Sequence, residues 1–273
     1  MTDRLLKAIE EFWDERPCNS RHSKKEVGTK EYFDEVEERR YFVEPHIRSF
    51  ADFEKWRNKK VLEIGCGIGT DSINFARCGA NFTGVDLSRK SLELCQKRFS
   101  VFGLPGKLLH SNGEDLAEIL EEEKGSFDLV YSFGVLHHTA RPDKIIKAAK
   151  SLLKPNGEFR FMVYAKYSLK LFDVLREQGT WDFSRASELI QRWSEAQIGS
   201  PRTITYTLDE IRKILVGFEI LESTRAHIFP YDIAEYIKGN YVIRDCFANL
   251  SSSEMEELGR ELGWHYLIKA RVR

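Results

Sequence analysis

The run from Lys60 to Asp71 (Lys-Val-Leu-Glu-Ile-Gly-Cys-Gly-Ile-Gly-Thr-Asp) restricts the fold more than any other part of the chain. An apolar segment carrying Val61, Leu62 and Ile64 ends at three glycines on alternate positions, Gly65, Gly67 and Gly69, and a helix-like segment opens directly behind them. A strand that feeds a helix through glycines turns sharply and exposes main-chain N–H groups, with no side chain between them and a ligand. The dinucleotide fingerprint G-x-G-x-x-G would need glycine at position 70, where this chain has Thr70. The G-x-G-x-G spacing points away from NAD, and so from a dehydrogenase, and toward S-adenosylmethionine (SAM).

Seventeen residues after Gly69, Asn81-Phe82-Thr83-Gly84-Val85-Asp86 reads as a second strand ending in a carboxylate. A carboxylate at the tip of the neighbouring parallel strand can accept hydrogen bonds from both ribose hydroxyls of an adenosine ligand. Two further blocks follow at the spacing of strand–helix units. They are Phe127-Asp128-Leu129-Val130-Tyr131-Ser132-Phe133-Gly134-Val135-Leu136-His137-His138 and Leu152-Leu153-Lys154-Pro155-Asn156-Gly157-Glu158.

These four blocks, in this order, resemble the class I SAM-dependent methyltransferases, in particular the branch with ubiquinone-biosynthesis-like small-molecule enzymes. The resemblance covers about residues 60–165. It implies an α/β fold: a doubly wound, seven-stranded, mostly parallel sheet of order 3-2-1-4-5-7-6 with its last strand antiparallel, flanked by a helical N-terminal extension and helical cap insertions. It also implies that SAM lies against Gly65, Gly67 and Gly69, with Asp86 and the following Leu87 at the ribose. Glu63 and Asp71 order the loop or reach the SAM ammonium through water. Asn112, through its side-chain carbonyl, and the Gly113 N–H face the adenine, and the backbone from Ser132 to Gly134 meets the methionine end.

Element boundaries follow from periodicity and punctuation. Strands are expected at 60–64, 81–86, 107–110, 127–132, 158–163 and 218–228, with Trp264 to Ala270 as the last. Helices are expected at 70–79, 89–102, 114–123, from Pro142, and over 208–216 behind the capping box Thr207-Leu208-Asp209-Glu210. A further helix start is read at Ser253-Glu254-Met255-Glu256. Residues 1–58 form an N-terminal helical lid and 59–273 the SAM-binding domain, with cap insertions at 164–206 and 229–263.

The acceptor is read from what the core leaves over. His137 and His138 follow the fourth strand, and His138 is the candidate general base, since an ordinary imidazole titrates near 6.5. In a fold whose core is shared among many activities, acceptor choice lives in the appended segments. Their polar aromatics, Tyr164, Tyr167, Tyr206, His227 and Tyr231, are candidate substrate contacts by cation–π or hydrogen bonding. Arg21 and His22, with Arg16 and Arg202, are candidates for an anionic acceptor.

Composition bounds the partners. With 31% charged residues and a net charge of −1, the chain lacks the basic stripe of a nucleic-acid binder. Its five cysteines, at 18, 66, 78, 95 and 246, make no C-x-x-C and no Cys/His ligand spacing, so no metal site is expected and reduced thiols are. Leu5, Leu6, Ile9, Phe12 and Trp13 form a helical stripe broken by charges, unlike a signal peptide. No run approaches the ~18 apolar residues of a membrane span. The expectation is a cytoplasmic enzyme, monomer or homodimer, that methylates an O, N, S or C atom of a small molecule, with no nucleic acid and no membrane. The competing readings are an RNA or protein methyltransferase and a non-catalytic SAM-binding sensor. Against amide methylation, the Asn/Asp-Pro-Pro-Tyr motif of such enzymes is replaced here by Ser132-Phe133-Gly134-Val135.

Overall fold

The structure is a computed structural model that describes residues 2–193 and 198–273. Three helices precede the sheet: α1 (Thr2–Glu15), α2 (Lys30–Val43) and α3 (His46–Ala51). The core then alternates strand and helix through β1 (Lys60–Ile64), α4 (Thr70–Arg77), β2 (Asn81–Asp86), α5 (Arg89–Phe102) and β3 (Lys107–His110). It continues through α6 (Leu116–Ile119), β4 (Phe127–Phe133), α7 (Pro142–Leu152) and β5 (Leu153–Tyr164). The first insertion carries α8 (Leu169–Glu177) and α9 (Ala186–Trp193), followed by α10 (Leu208–Ile214) and β6 (Phe218–Ala226). The second carries α11 (Ile233–Ile237) and α12 (Ser252–Leu262) before the closing strand β7 (His265–Val272).

The sheet has the expected order, β3-β2-β1-β4-β5-β7-β6, with β7 antiparallel to both of its neighbours. Both faces are covered, so the central strands bury consecutive residues rather than alternate ones. Leu129 and Tyr131 of β4 pack with Phe75, Phe82 and the N-terminal Phe50, Phe53 and Trp56. Val130, one residue out of phase, packs on the other face with Leu62, Phe159, Phe161 and the Ile145, Ile146, Ala149 and Leu152 stripe of α7. The topological switch lies between β1 and β4, where ligands of open α/β sheets bind beside the carboxyl ends of the strands.

Some boundaries differ from the sequence reading. The helix expected at 114–123 breaks into 3-10 turns, Gly113–Asp115 and Glu121–Glu123, around the single turn of α6. Leu116 and Leu120 are the only apolar residues buried there, too narrow an apolar face to hold a regular helix through Glu121-Glu122-Glu123. β5 starts at Leu153 rather than 158, because Leu153 already pairs with Phe127 and the Pro155-Asn156-Gly157 turn becomes an irregularity inside the strand. The last helix is capped at Ser251, not 253: Ser251 and Glu254 form a reciprocal capping box.

Candidate active site

The glycine loop is held open by backbone that side chains rarely adopt. Gly65, Gly67 and Gly69 have φ of 75°, 54° and 79°. A Cβ on Gly65 would stand 2.2 Å from Val135 Cγ2, and one on Gly69 2.6 Å from Cys95 Sγ. A Cβ on Gly67 meets nothing within 4 Å, because that residue faces open space. The Gly67 N–H donates to Asp86 Oδ2 at 2.7 Å, and the Ser88 N–H donates to Asp86 Oδ1 at 2.8 Å. Each carboxylate oxygen thus keeps lone-pair capacity beyond its backbone partner. Burial pushes the Asp86 carboxyl above its ordinary pKa, against the pull of those two N–H groups.

A cavity of about 150 Å³ lies in front of this loop. Gly65, Gly67, Asp86, Leu87, Asn112 and Gly113 line it, six of the residues expected at the cofactor. Asn112 also braces the local backbone, because its side-chain carbonyl accepts the Glu114 N–H at 3.0 Å and so caps the 3-10 turn behind it. The roof comes from Leu6, Ile9 and Trp13 of α1. Asp14 fastens that helix by accepting the Ser88 hydroxyl at 2.7 Å and the Lys90 N–H at 3.2 Å.

Glu63, Gly69, Asp71 and Ser132, also expected at the cofactor, do not line this cavity. Glu63 accepts the Ser72 hydroxyl at 2.5 Å, and burial, reinforced by nearby Asp71, pushes its pKa well up. Asp71 accepts from Arg40, Tyr41 and Tyr131. The Ser132 hydroxyl donates to the Ile64 carbonyl at 3.1 Å and ties β4 to β1.

A second cavity, about 540 Å³, adjoins the first, and Trp13, Cys18, Phe133, Gly134 and His138 line both. Arg16, Arg21, His22, Tyr164 and His227 line it as expected for the acceptor side. Tyr167, Tyr206, Tyr231 and Arg202 do not. Tyr167 is exposed, and Tyr206 is buried in the core beside Ile211 and Leu215. Tyr231 belongs to an aromatic cluster with Phe42 and Tyr236, and Arg202 contributes a backbone carbonyl instead of its guanidinium. That carbonyl accepts from His138 Nδ1 at 2.8 Å, which leaves Nε2 as the unprotonated nitrogen. Burial lowers the His138 pKa to about 4. His137, tilted against Tyr164 with ring centroids 3.7 Å apart, is fully buried and lines neither cavity.

The sequence reading missed Trp13, Cys18, Arg39, Arg40, Glu44 and His265, all on the wall of the larger cavity. Trp13 had a signal, as the last member of the α1 apolar stripe. Arg39 and Arg40 sit in the mixed-charge run Asp34-Glu35-Val36-Glu37-Glu38-Arg39-Arg40, the pattern of a solvated helix face, and His265 in a strand that alternates with apolar residues.

Residues 36–201, more than half of the chain, match the methyltransferase-domain family. The chain belongs to the class I SAM-dependent methyltransferases. SAM is the cofactor of this methyltransferase. It is 38% identical over 99 residues to a ubiquinone biosynthesis O-methyltransferase of Chromobacterium violaceum, a match covering 36% of this chain and 41% of that one. It is 28% identical over 180 residues to the same enzyme of Shewanella pealeana, covering 60% of this chain and 73% of the relative. The methyltransferase therefore spans less than half of the first relative and about three quarters of the second. Its fold superposes on magnesium protoporphyrin IX methyltransferase of Synechocystis, solved with bound SAH, with a TM-score of 0.58 at 17% identity, over 98% of this chain and all of that one. Among the described residues of the methyltransferase no helix is long and apolar enough to cross a membrane.

Proposed function

We propose that the protein moves a methyl group from SAM to an O, N, S or C atom of a small molecule held in the larger cavity, giving S-adenosylhomocysteine. The observation that carries this reading is the shared wall: donor and acceptor spaces meet at Trp13, Phe133, Gly134 and His138. The residues present fit the cofactor. Asp86 offers two carboxylate oxygens to the ribose, and Gly67 leaves room where any side chain would intrude. Asn112 and Gly113 sit at the adenine, with Leu87 beside the ribose.

When bound, SAM supplies a methyl group already activated by its sulfonium. The protein's share is alignment, exclusion of water and removal of a proton where the acceptor carries one. The lid of residues 1–58 and the insertions at 164–206 and 229–263 exclude water, with α1 as the roof. His138 Nε2 is placed to take the proton, since Nδ1 is committed to Arg202.

The cavity favours an anionic acceptor. Arg16, Arg21 and Arg39 line it, and buried His22 Nδ1, Arg39 Nε and Arg244 Nε have no hydrogen-bond partner among the described residues. Unmatched buried donors are costly and mark a place for a ligand's acceptor atoms. A net charge of −1 supports the small-molecule reading over RNA, and the free cysteines suit a reducing cytoplasm.

Incubation with methyl-labelled SAM and a size-fractionated cell extract tests the reading. Label in the small-molecule fraction, retained on anion exchange, is the expected result. Label in RNA or protein overturns the acceptor class, and SAM binding without any labelled product favours a sensor.

A further inference from the structure

The wall of the larger cavity carries Glu44, His227 and His265. They come from three elements: the C-cap of α2, the segment after β6, and the first residue of β7. One carboxylate or imidazole atom from each lies within 4.8 Å of the others. A fourth group, His46 at the start of α3, places its Nε2 3.0 Å from His265 Nδ1. Of the four, only His227 has a part in methyl transfer as described above, as a candidate contact of the acceptor; Glu44, His46 and His265 have none.

We propose that Glu44, His227 and His265 form a binding site for a divalent first-row transition-metal ion of the zinc type, with His46 completing it. The chemistry of the donors suits such an ion: imidazole nitrogen with one carboxylate oxygen is a zinc and iron(II) set, unlike the all-oxygen sets of calcium and magnesium.

The spacing also suits it. The edge of a tetrahedral site with bonds near 2.1 Å is about 3.4 Å. His265 Nδ1 stands 3.0 Å from His46 Nε2 and 3.7 Å from Glu44 Oε1, one distance on either side of that edge. Only one proton fits between the two facing nitrogens, and an ion would replace it. The His227 and His265 rings are stacked with centroids 4.5 Å apart, and a modest movement of His227 closes the set. His227 has φ of 71°, a left-handed backbone that a non-glycine residue holds at a cost and that recurs at functional sites.

Local charge does not forbid a cation. Arg40, the nearest guanidinium, is paired with Asp71 as well as with Glu44. The ion's remaining charge and open positions face the arginine-lined cavity, where an anionic atom of the acceptor would bind both. That role toward the acceptor rests on the methyl-transfer reading, whereas ion binding does not, and the two fail separately. No bond of the acceptor is made or broken at the ion, which anchors it.

The test uses the full-length protein freed of metal by chelator dialysis, titrated with Co²⁺ and with Zn²⁺ in the absence of SAM and acceptor. The expected result is one Co²⁺ per chain, with visible d–d absorption of a nitrogen- and oxygen-ligated ion and displacement by Zn²⁺. His46→Gln should weaken binding about 10–100-fold, and His227→Gln and Glu44→Gln by more. SAM affinity of the cavity-wall variant His227→Gln should match wild type, which checks that it is folded. Absence of stoichiometric binding, a thiolate charge-transfer band pointing to Cys18, or affinities unchanged in the His227 and Glu44 variants would each overturn the proposal.

Discussion

Arg40 on α2 grips Asp71 on α4 with two guanidinium nitrogens, Nε and Nη2, each 3.3 Å from a different carboxylate oxygen. Asp71 also accepts from the hydroxyls of Tyr41 at 3.0 Å and Tyr131 at 3.2 Å. The same arginine lines the larger cavity and reaches Glu44. One side chain thus links α2, the helix behind the glycine loop and the wall of that cavity. The Arg40 and Asp71 side chains are 12% and 2% exposed, so removing either leaves its partner charged in a poor solvent. Asp71→Ala should cost about 3–5 kcal/mol in urea unfolding. Arg40→Lys keeps the charge but loses the two-pronged geometry, and should also destabilise. A loss below ~1 kcal/mol in both variants would show that the network contributes little.

Asp86 plays a different part, because its two backbone partners leave each oxygen with spare capacity toward the cavity. Asp86→Ala should abolish detectable SAM binding in calorimetry. The Gly67 and Ser88 N–H groups lose an acceptor, so about 1–3 kcal/mol of stability should go as well, with the melt still cooperative. SAM affinity equal to wild type would remove Asp86 from the cofactor site.

The legibility of the chain follows burial and locality. Strand ends from β1 to β4 could be read because apolar runs and glycine punctuation are local signals, and the sheet order followed from strand–helix alternation together with the family resemblance. The position of the candidate carboxylate Asp86 was legible for the same reason: it closes the strand next to the glycine loop. Tyr206 and Tyr231 show the opposite case, since an aromatic residue in an insertion carries no mark that says whether it meets a cavity, a core or another ring. His227 was found by residue type. Its companions His46, His265 and Glu44 were not, because only the packing of β7 against the start of α3 brings His46 and His265, 219 positions apart, into hydrogen-bond range.

The glycine loop gives a paired prediction that separates packing from binding. Gly65→Ala would drive a Cβ into Val135 and should destabilise the fold by several kcal/mol, since backbone and neighbour must both shift. Gly67→Ala meets no protein atom, and its cost is the left-handed backbone, about 1–2 kcal/mol. Its larger effect should be on SAM, whose affinity ought to drop at least about tenfold, since that loss is only ~1.4 kcal/mol. Equal effects of the two variants on melting and on SAM binding would contradict this division.

Acid should act on stability through His138. Its folded pKa of about 4 lies below the ordinary 6.5, so between those values the unfolded chain binds a proton that the native protein excludes. Stability from this group is therefore complete above pH 6.5 and is lost as the pH falls toward 4. His138→Gln lacks that term, while buried acids such as Glu63 and Asp86 act equally in both proteins. The stability difference between wild type and His138→Gln should shift against wild type by on the order of 3 kcal/mol from pH 7 to pH 4. A pH-independent difference would mean that the imidazole is charged or solvated in the native state.

Catalysis asks more of the same residue. With Nδ1 donating to the Arg202 carbonyl, Nε2 is the nitrogen available to accept the acceptor's proton, and both cavities meet at this ring. A base whose pKa is near 4 is unprotonated throughout the neutral range, so turnover should be flat there and fall only as the pH drops through about 4. His138→Ala should lower kcat about 100-fold or more with SAM affinity intact, the loss typical of a removed general base. The assignment is settled by which parameter moves. A tenfold or smaller loss, or one that appears in SAM binding instead of kcat, would make His138 a residue that positions the Arg202 loop. Packing 5.1 Å from Trp13 between ring centroids would then be its contribution, through the roof of the donor cavity.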